Sequence, residues 1–248
     1  MPDDIANDAK RKPTTGSWSP AAMIQESSRS TPETSYRKII ADRAEVLKLD
    51  KAQRTAMRLR AATAELLETC RYNDLRVMDI ARKANVAHGT FYTYYKQRSD
   101  IIFAIIQEYF EVLGETMRPA VGVDEYSRIR SATGIFVGYY TSNLGLMRCL
   151  RALSEQDGQF AALKQQIDSS WFERNIAHLS RTAIGASMDQ DAIRLMVYAL
   201  GAMVEEFLYI RYQNPDPNVV KLTETDDDVA EKLARIWFRA LYLKDPTD

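Results

Sequence analysis

The feature that most restricts the fold of this chain is a short helical pattern that stops at an asparagine and is followed at once by a second short helix. Between Arg76 and Ala84 the apolar residues recur every three or four positions, as on one face of an α-helix. Asn85 interrupts the pattern, and asparagine tolerates the left-handed backbone that a sharp turn between helices needs. Residues 88–95 then read HGTFYTYY. Two short helices joined by such a turn predict a helix-turn-helix unit, whose second helix enters the major groove of DNA.

The second helix of this unit is expected to expose a small, polar face. At about 100° per residue, Phe91 and Tyr95 point toward a core. Gly89, Thr90 and Thr93 lie on the opposite side, where small residues let the helix approach base edges and threonine offers a hydroxyl and a methyl group. The alternative, that the aromatic residues only complete a compact core, gives the glycine and the threonines no purpose.

Hydroxyl and basic side chains around this face are the expected phosphate contacts. Tyr92 and Tyr94 flank it, and their hydroxyls can reach phosphates on the groove walls. His88, at the start of the helix, either contacts a base or phosphate or lies exposed. Basic residues at both ends of the unit add further phosphate partners. The predicted DNA-binding residues are Arg76, His88, Gly89, Thr90, Tyr92, Thr93, Tyr94, Lys96 and Arg98.

The segment VMDIARKANVAHGTFYTYYKQRSDII, residues 77–102, resembles the N-terminal DNA-binding domain of TetR-family transcriptional regulators. The resemblance extends over about residues 55–102. It implies that His88, Gly89, Thr90 and Thr93 face bases and that Tyr92, Tyr94 and Arg98 touch phosphates. It also implies a dimer joined through the last two helices, which would read a palindromic operator.

Four residues depart from that family's pattern. Arg71 and Asn85 stand where the family usually has glycines. Arg76 and Ala87 replace the serine or threonine that caps each of the two short helices, and a lost capping hydroxyl costs about 0.5–2 kcal/mol. None of these changes removes a residue that the expected DNA contacts need.

Composition divides the chain into three parts. Residues 1–32 are rich in Ser, Thr, Pro and Asp and are expected to form a disordered tail. The helical patterns and the resemblance together predict an extra helix and the DNA-binding domain in residues 33–102, and a helical effector-binding and dimerisation domain in residues 103–248. Residues 51–100 contain 10 basic and 5 acidic residues, whereas 101–248 contain 15 and 21. This balance favours contact between the first part and a polyanion, although ordinary solvated helix faces would give it too.

The extra helix, near residues 34–49, has two possible roles. It could approach the DNA backbone through its basic residues, or it could brace the DNA-binding domain through its apolar ones, which is the role we favour. The basic residues are Arg37, Lys38 and Arg43, and the apolar ones are Tyr36, Ile40 and Leu47.

The remainder of the chain reads as all-helical, with starts expected at Asp124, at a Ser187 capping box and at Thr225. Two of these helices, 188–212 and 226–243, are predicted to join two copies of the chain. Small residues at Ala199, Gly201 and Ala202 would allow the helices to approach closely. Alternatively, both helices could complete the core of one subunit.

Large apolar side chains between these regions could line an effector pocket, although each alone fits a core equally well. The candidates are Phe110, Phe136, Tyr139, Tyr140, Met147, Trp171 and Phe172. The expected ligand is a small apolar or aromatic molecule that shifts the dimer away from DNA.

Catalytic and metal-site patterns are missing from the sequence, so no enzyme activity, metal or cofactor is expected. Cys70 and Cys149 are expected to be buried, reduced thiols. With no run long enough for a membrane span, a cytoplasmic protein is expected. The sequence thus predicts an all-α, sequence-specific DNA-binding regulator, a repressor released from a palindromic operator by its effector. A helical protein-interaction adaptor or a ligand-independent DNA-coating protein remains the alternative.

Overall fold

The computed structural model describes residues 35–46, 48–116 and 122–243, and every regular element in these ranges is helical. The tail predicted at 1–32 lies outside the described residues. In chain order the helices are α1 Tyr36–Val46, α2 Lys51–Thr69, α3 Val77–Lys83, α4 His88–Tyr94, α5 Arg98–Thr116, α6 Glu125–Thr141, α7 Leu144–Ser154, α8 Gly158–Leu179, α9 Ala183–Ala186, α10 Gln190–Leu208, α11 Pro217–Val220 and α12 Asp226–Tyr242.

Side-chain caps begin several of these helices where the sequence predicts them. Asp50 accepts a hydrogen bond from the backbone of Gln53 and forms a capping box at the start of α2. The side chains of Asp124 and Thr225 cap α6 and α12, each by accepting one hydrogen bond from a backbone N–H of the first turn. Each cap satisfies a backbone N–H that the first helical turn leaves without an intrahelical partner.

The predicted capping box at Ser187 is wrong. The Ser187 hydroxyl donates to the carbonyl of Ile184, and Asp189 instead accepts from the backbone N–H groups of Asp191 and Ala192. Helix α10 therefore begins at Gln190. Its α-helical part ends at Leu208, and a π-helical turn continues it through residue 213.

Helix α5 connects the two predicted domains without a break. The predicted boundary between residues 102 and 103 falls inside this helix, which spans Arg98–Thr116. Ile101, Ile102, Ile105 and Ile106 are all fully buried on it. They belong to one continuous apolar cluster that includes residues from both ends of the described chain.

The helices of the C-terminal half pack in two groups. Helix α12 lies along α6, and α8 lies between α7 and α10. Gly201 on α10 is buried against Phe172 of α8, where a Cβ atom would come within 2.3 Å of the Phe172 Cε1. The Cys149 thiol is buried as predicted, and burial raises its pKa to about 12, whereas Cys70 is only half-buried.

Candidate nucleic-acid interface

The turn between α3 and α4 has the geometry that the sequence predicts. Asn85 adopts φ 53°, the left-handed conformation. The backbone N–H of Val86 then donates to the carbonyl of Ala81 at 3.0 Å, which closes the end of α3. Neither Arg76 nor Ala87 provides a side-chain cap for the helix that follows it. The asparagine conformation and the backbone hydrogen bonds therefore fix the angle between the two short helices.

One aromatic residue anchors α4 to the core. Phe91 is fully buried, and its ring contacts those of Tyr92 and Tyr95 at centroid distances of 5.4 and 5.8 Å. Tyr95 is half-buried, and burial raises the pKa of its hydroxyl. These contacts hold one side of α4 in place, so the opposite side faces outward.

The outward side of α4 carries the small and polar residues expected there. His88, Gly89, Tyr92 and Thr93 are exposed, and Thr90 is half-buried. A Cβ atom added to Gly89 would meet nothing within 4 Å, so this position is open to whatever approaches the helix. The His88 and Tyr92 rings meet edge to face with centroids 5.4 Å apart.

The phosphate partners expected at the two ends of the unit differ in their surroundings. Arg76 and Lys96 are exposed. Arg98 is half-buried, and its Nη1 donates to the carbonyls of Asn73 at 3.2 Å and Leu75 at 2.8 Å. Its guanidinium lies 4.4 Å from the centroid of the Tyr72 ring, in the turn that precedes α3. Arg98 thus joins the start of α5 to the turn before α3, an internal role that its charge alone did not reveal.

Comparison with solved structures identifies this arrangement. A TetR-like transcriptional regulator from Rhodococcus sp. RHA1 matches with a TM-score of 0.59 at 19% identity, over 79% of this chain and 100% of the other. The fatty acid degradation regulator FadR from Bacillus halodurans matches with a TM-score of 0.61 at 14% identity, over 81% of this chain and 100% of the other. The chain has the TetR-like fold. No model of a known protein family matches the sequence, and no curated protein sequence does.

Helix α1, which precedes the TetR-like helix-turn-helix unit, packs as a brace. Tyr36 and Ile40 are buried. Of the basic residues weighed for DNA contact, Lys38 pairs with an aspartate of α1 itself and Arg43 pairs with a glutamate of α5, while Arg37 is exposed. Leu47 lies outside the described residues. The contacts favour bracing over phosphate contact for this helix.

The N-terminal helices also meet the C-terminal half where α2 ends and α7 begins, a junction that the sequence did not predict. The Glu68 carboxylate accepts from the backbone N–H of Gly145 at 3.1 Å. Arg148 donates to the carbonyl of Leu67 at 2.7 Å. Glycine is required at residue 145, because a Cβ atom there would lie 2.3 Å from the Leu67 oxygen. The two helix ends therefore satisfy each other's backbone groups.

The predicted effector residues lie in the helical core of this TetR-like fold. Tyr139, Tyr140, Met147 and Phe172 are buried, whereas Phe110, Phe136 and Trp171 are half-buried. The Trp171 ring contacts the rings of Phe136 and Phe172 at centroid distances of 6.2 and 5.4 Å. Most of the predicted set is thus packed side chain on side chain.

An open cleft of about 500 Å³ lies between α8 and α10, and of the predicted effector residues only Phe172 borders it. Tyr198 forms the adjoining wall, with its ring centroid 4.2 Å from that of Phe172. The rest of the lining is mainly polar and includes Lys164 and Asp168, which form an ion pair at 2.7 Å. The cleft therefore joins one aromatic wall to a charged one.

The helices predicted to join two copies expose an apolar stripe. On α10, Leu195 is 73% exposed, and Ala199 and Ala202 are exposed beside it. On α12, Ile236 is 41% exposed. Gly201, which the sequence suggested for the contact between copies, instead packs inside the subunit.

No helix within the described ranges is both long and apolar enough to cross a membrane.

Proposed function

We propose that this protein is a TetR-family transcriptional regulator that binds a palindromic DNA operator as a homodimer and leaves it when a small ligand binds. The observation that supports this most directly is the outward face of α4. It combines an unobstructed glycine, exposed hydroxyl and aromatic side chains, and a rigid attachment through Phe91. A short helix held this way at a left-handed turn suits insertion into the major groove.

The proposed contacts divide into bases and phosphates. Gly89 permits close approach, and Thr90, Thr93 and His88 offer hydrogen-bonding groups and a methyl group to base edges. The remaining predicted residues, Arg76, Tyr92, Tyr94, Lys96 and Arg98, supply phosphate contacts, which position the helix but carry no sequence information themselves.

The proposed dimer uses the exposed stripe on α10 and α12. Burying Leu195 and its neighbours against a second copy removes apolar surface from water, and the alanines allow the two helices to approach closely. Two-fold symmetry places one recognition helix in each of two major grooves on the same side of the duplex. The operator would then be a palindrome.

The proposed effector is a small apolar or aromatic molecule that binds among the predicted residues of the C-terminal half. The half-buried rings around Trp171 and the cleft beside Phe172 support this site. Because one protein of the same fold is named a fatty acid degradation regulator, acyl compounds belong in the first ligand screen. A ligand that raises the melting temperature and also releases the operator would support the effector role. A ligand that raises the melting temperature but does not release the operator would argue against the effector role.

Selection from a random duplex library at near-physiological salt tests the DNA-binding proposal. The expected product is a palindrome whose binding is lost in the double variant Tyr92→Phe and Thr93→Ala and kept in the control Tyr126→Phe, which removes a tyrosine hydroxyl from α6. Equal retention of all sequences would favour a DNA-coating protein. Retention of none would favour an adaptor that binds other proteins.

Light scattering tests the dimer separately. Leu195→Glu places a charge on the most exposed large apolar residue of the stripe, so the mass in solution should fall from two chains to one. Leu222→Glu is the matched control, because this leucine is 62% exposed but lies outside both helices. Equal masses for the two variants would contradict the assigned interface.

A further inference from the structure

A single carboxylate links helix α1 to both the DNA-binding helices and the connecting helix. Glu108 lies on α5, and its side chain is 13% exposed. It accepts a hydrogen bond from the Tyr36 hydroxyl at 2.6 Å and forms an ion pair with Arg43, both on α1. Arg60 of α2 lies 3.2 Å from the same carboxylate. Three helices therefore meet at one acidic side chain.

The first residue of α1 is also fixed to the C-terminal half. The backbone N–H of Tyr36 donates to Asn143 Oδ1 at 2.7 Å. Asn143 is only 2% exposed and stands between α6 and α7, where its Nδ2 donates to the carbonyl of Tyr139 at 2.7 Å. The hydroxyl of Tyr109, next to Glu108 on α5, donates to that same carbonyl at 2.8 Å. Helix α1 thus contacts the C-terminal half through a connected hydrogen-bond network.

The charges of this network make it stiff. Burial, and then the charge of Glu108, raise the pKa of Tyr36 well above its usual value, so its hydroxyl remains a hydrogen-bond donor at neutral pH. Removing the charge of Glu108 would leave the guanidinium groups of Arg43 and Arg60 without their shared partner, which is unfavourable for partly buried cations. Sliding of α1 against α5 would break the same contacts.

We infer that α1 is a strap that fixes the orientation of the DNA-binding helices on the C-terminal half, and that Glu108 is its positioning residue for operator recognition. The inference rests on the proposed function, because it concerns the spacing between the two recognition helices of a dimer. Glu108 itself does not touch DNA. It acts by holding α1 and α2 on α5, and so it sets how strictly the dimer requires one distance between half-sites.

Operator spacing provides the test. The affinity of the wild type is measured for its selected operator and for versions with one base pair added or removed at the centre. Glu108→Gln should reduce the preference for the selected spacing by about tenfold, and Tyr36→Phe should change it in the same direction by less. A variant that is merely less stable loses active protein, which weakens binding to all three operators equally and leaves the preference unchanged. That result would overturn the inference.

The control variant is Glu125→Gln, which removes a carboxylate that pairs with Arg128 of α6 and interacts with Tyr242 of α12, so that all of its partners lie in the C-terminal half. It should keep the wild-type spacing preference. A loss of preference as large as that in Glu108→Gln would show that the effect does not come from the strap.

Hydrogen exchange tests the strap without DNA. In Glu108→Gln, the backbone amides of α1 and those around Asn143 at the start of α7 should exchange faster together, because one network holds both. Faster exchange in α1 alone would overturn the inference. If the wild type selects no operator, the proposed function fails, and exchange still decides whether α1 connects the two halves.

Discussion

Replacement of Gly89 by alanine should separate folding from DNA recognition in a single residue. The added methyl group meets no atom of the protein within 4 Å, so it introduces no clash. Alanine is favoured over glycine in helices by up to about 1 kcal/mol, and less near a helix start. For a chain of this size, the melting temperature should rise by up to about 4 °C. The same methyl would stand between α4 and the base edges, where the loss of one good base contact costs about 1–3 kcal/mol.

Two measurements on the same samples check this expectation. Thermal unfolding gives the melting temperature, and fluorescence anisotropy with the selected operator gives the affinity, which should fall at least about fivefold. Gly158→Ala is the matched control: this glycine is the first residue of α8, and its Cβ would also meet nothing within 4 Å. The control should be equally stable or more stable and should bind DNA normally. Full operator affinity in Gly89→Ala would refute the assignment of this face to DNA.

Three further changes test other parts of the structure. Gly145→Ala should destabilise the protein by at least about 2 kcal/mol in denaturant unfolding, because the added Cβ would overlap a carbonyl of α2. Gly134→Ala is the control and should be tolerated, because the atom nearest to its Cβ is the end of a flexible arginine side chain. Arg98→Met should lower stability by about 1–3 kcal/mol through loss of its two carbonyl contacts. Because this variant also removes the charge, an unchanged salt slope of DNA binding would show that the role of Arg98 is internal. Burial and a hydrogen bond to a glutamate raise the pKa of Tyr126 to about 12. The protonated Tyr126 hydroxyl therefore contributes its full stabilisation of the fold below pH 10, and this contribution is lost as the pH rises toward 12. In Tyr126→Phe, the free energy of unfolding should fall less steeply over that pH range.

The helix-turn-helix unit could be predicted from the sequence because local residue chemistry determines it. Asn85 could be placed in a left-handed turn because few other residues tolerate it, and Phe91 could be placed in the core because helical periodicity sets which residues share a face. These assignments need only neighbouring residues. The start of α10 was harder to predict, because Ser187 and Asp189 are only two positions apart and both residue types are good helix caps. In the structure the Ser187 hydroxyl bonds to the carbonyl of Ile184, and Asp189 is the cap.

Contacts between distant parts of the chain could not be predicted from periodicity. Glu108, which contacts both α1 and α2 from α5, is 72 residues from Tyr36 and 65 from Arg43, and nothing in its local sequence pattern distinguishes it from a solvated residue. Gly201 was expected to face a second copy because small residues permit close approach, but the partner that approaches it is Phe172 of the same chain. For Gly201 the residue type indicated a close contact, whereas for Glu108 it did not, and in both cases only the tertiary structure identified the partner.

The uninterrupted helix α5 has a consequence for how the molecule comes apart. Its buried isoleucines belong to the cores of the N-terminal helices and of the C-terminal half at once, so neither half can lose its packing without exposing the core of the other. The halves should therefore melt together, in one calorimetric transition. A substitution deep in either half would then lower the population of protein with an intact proposed DNA-binding surface, as would a change at the turn beside Asn85.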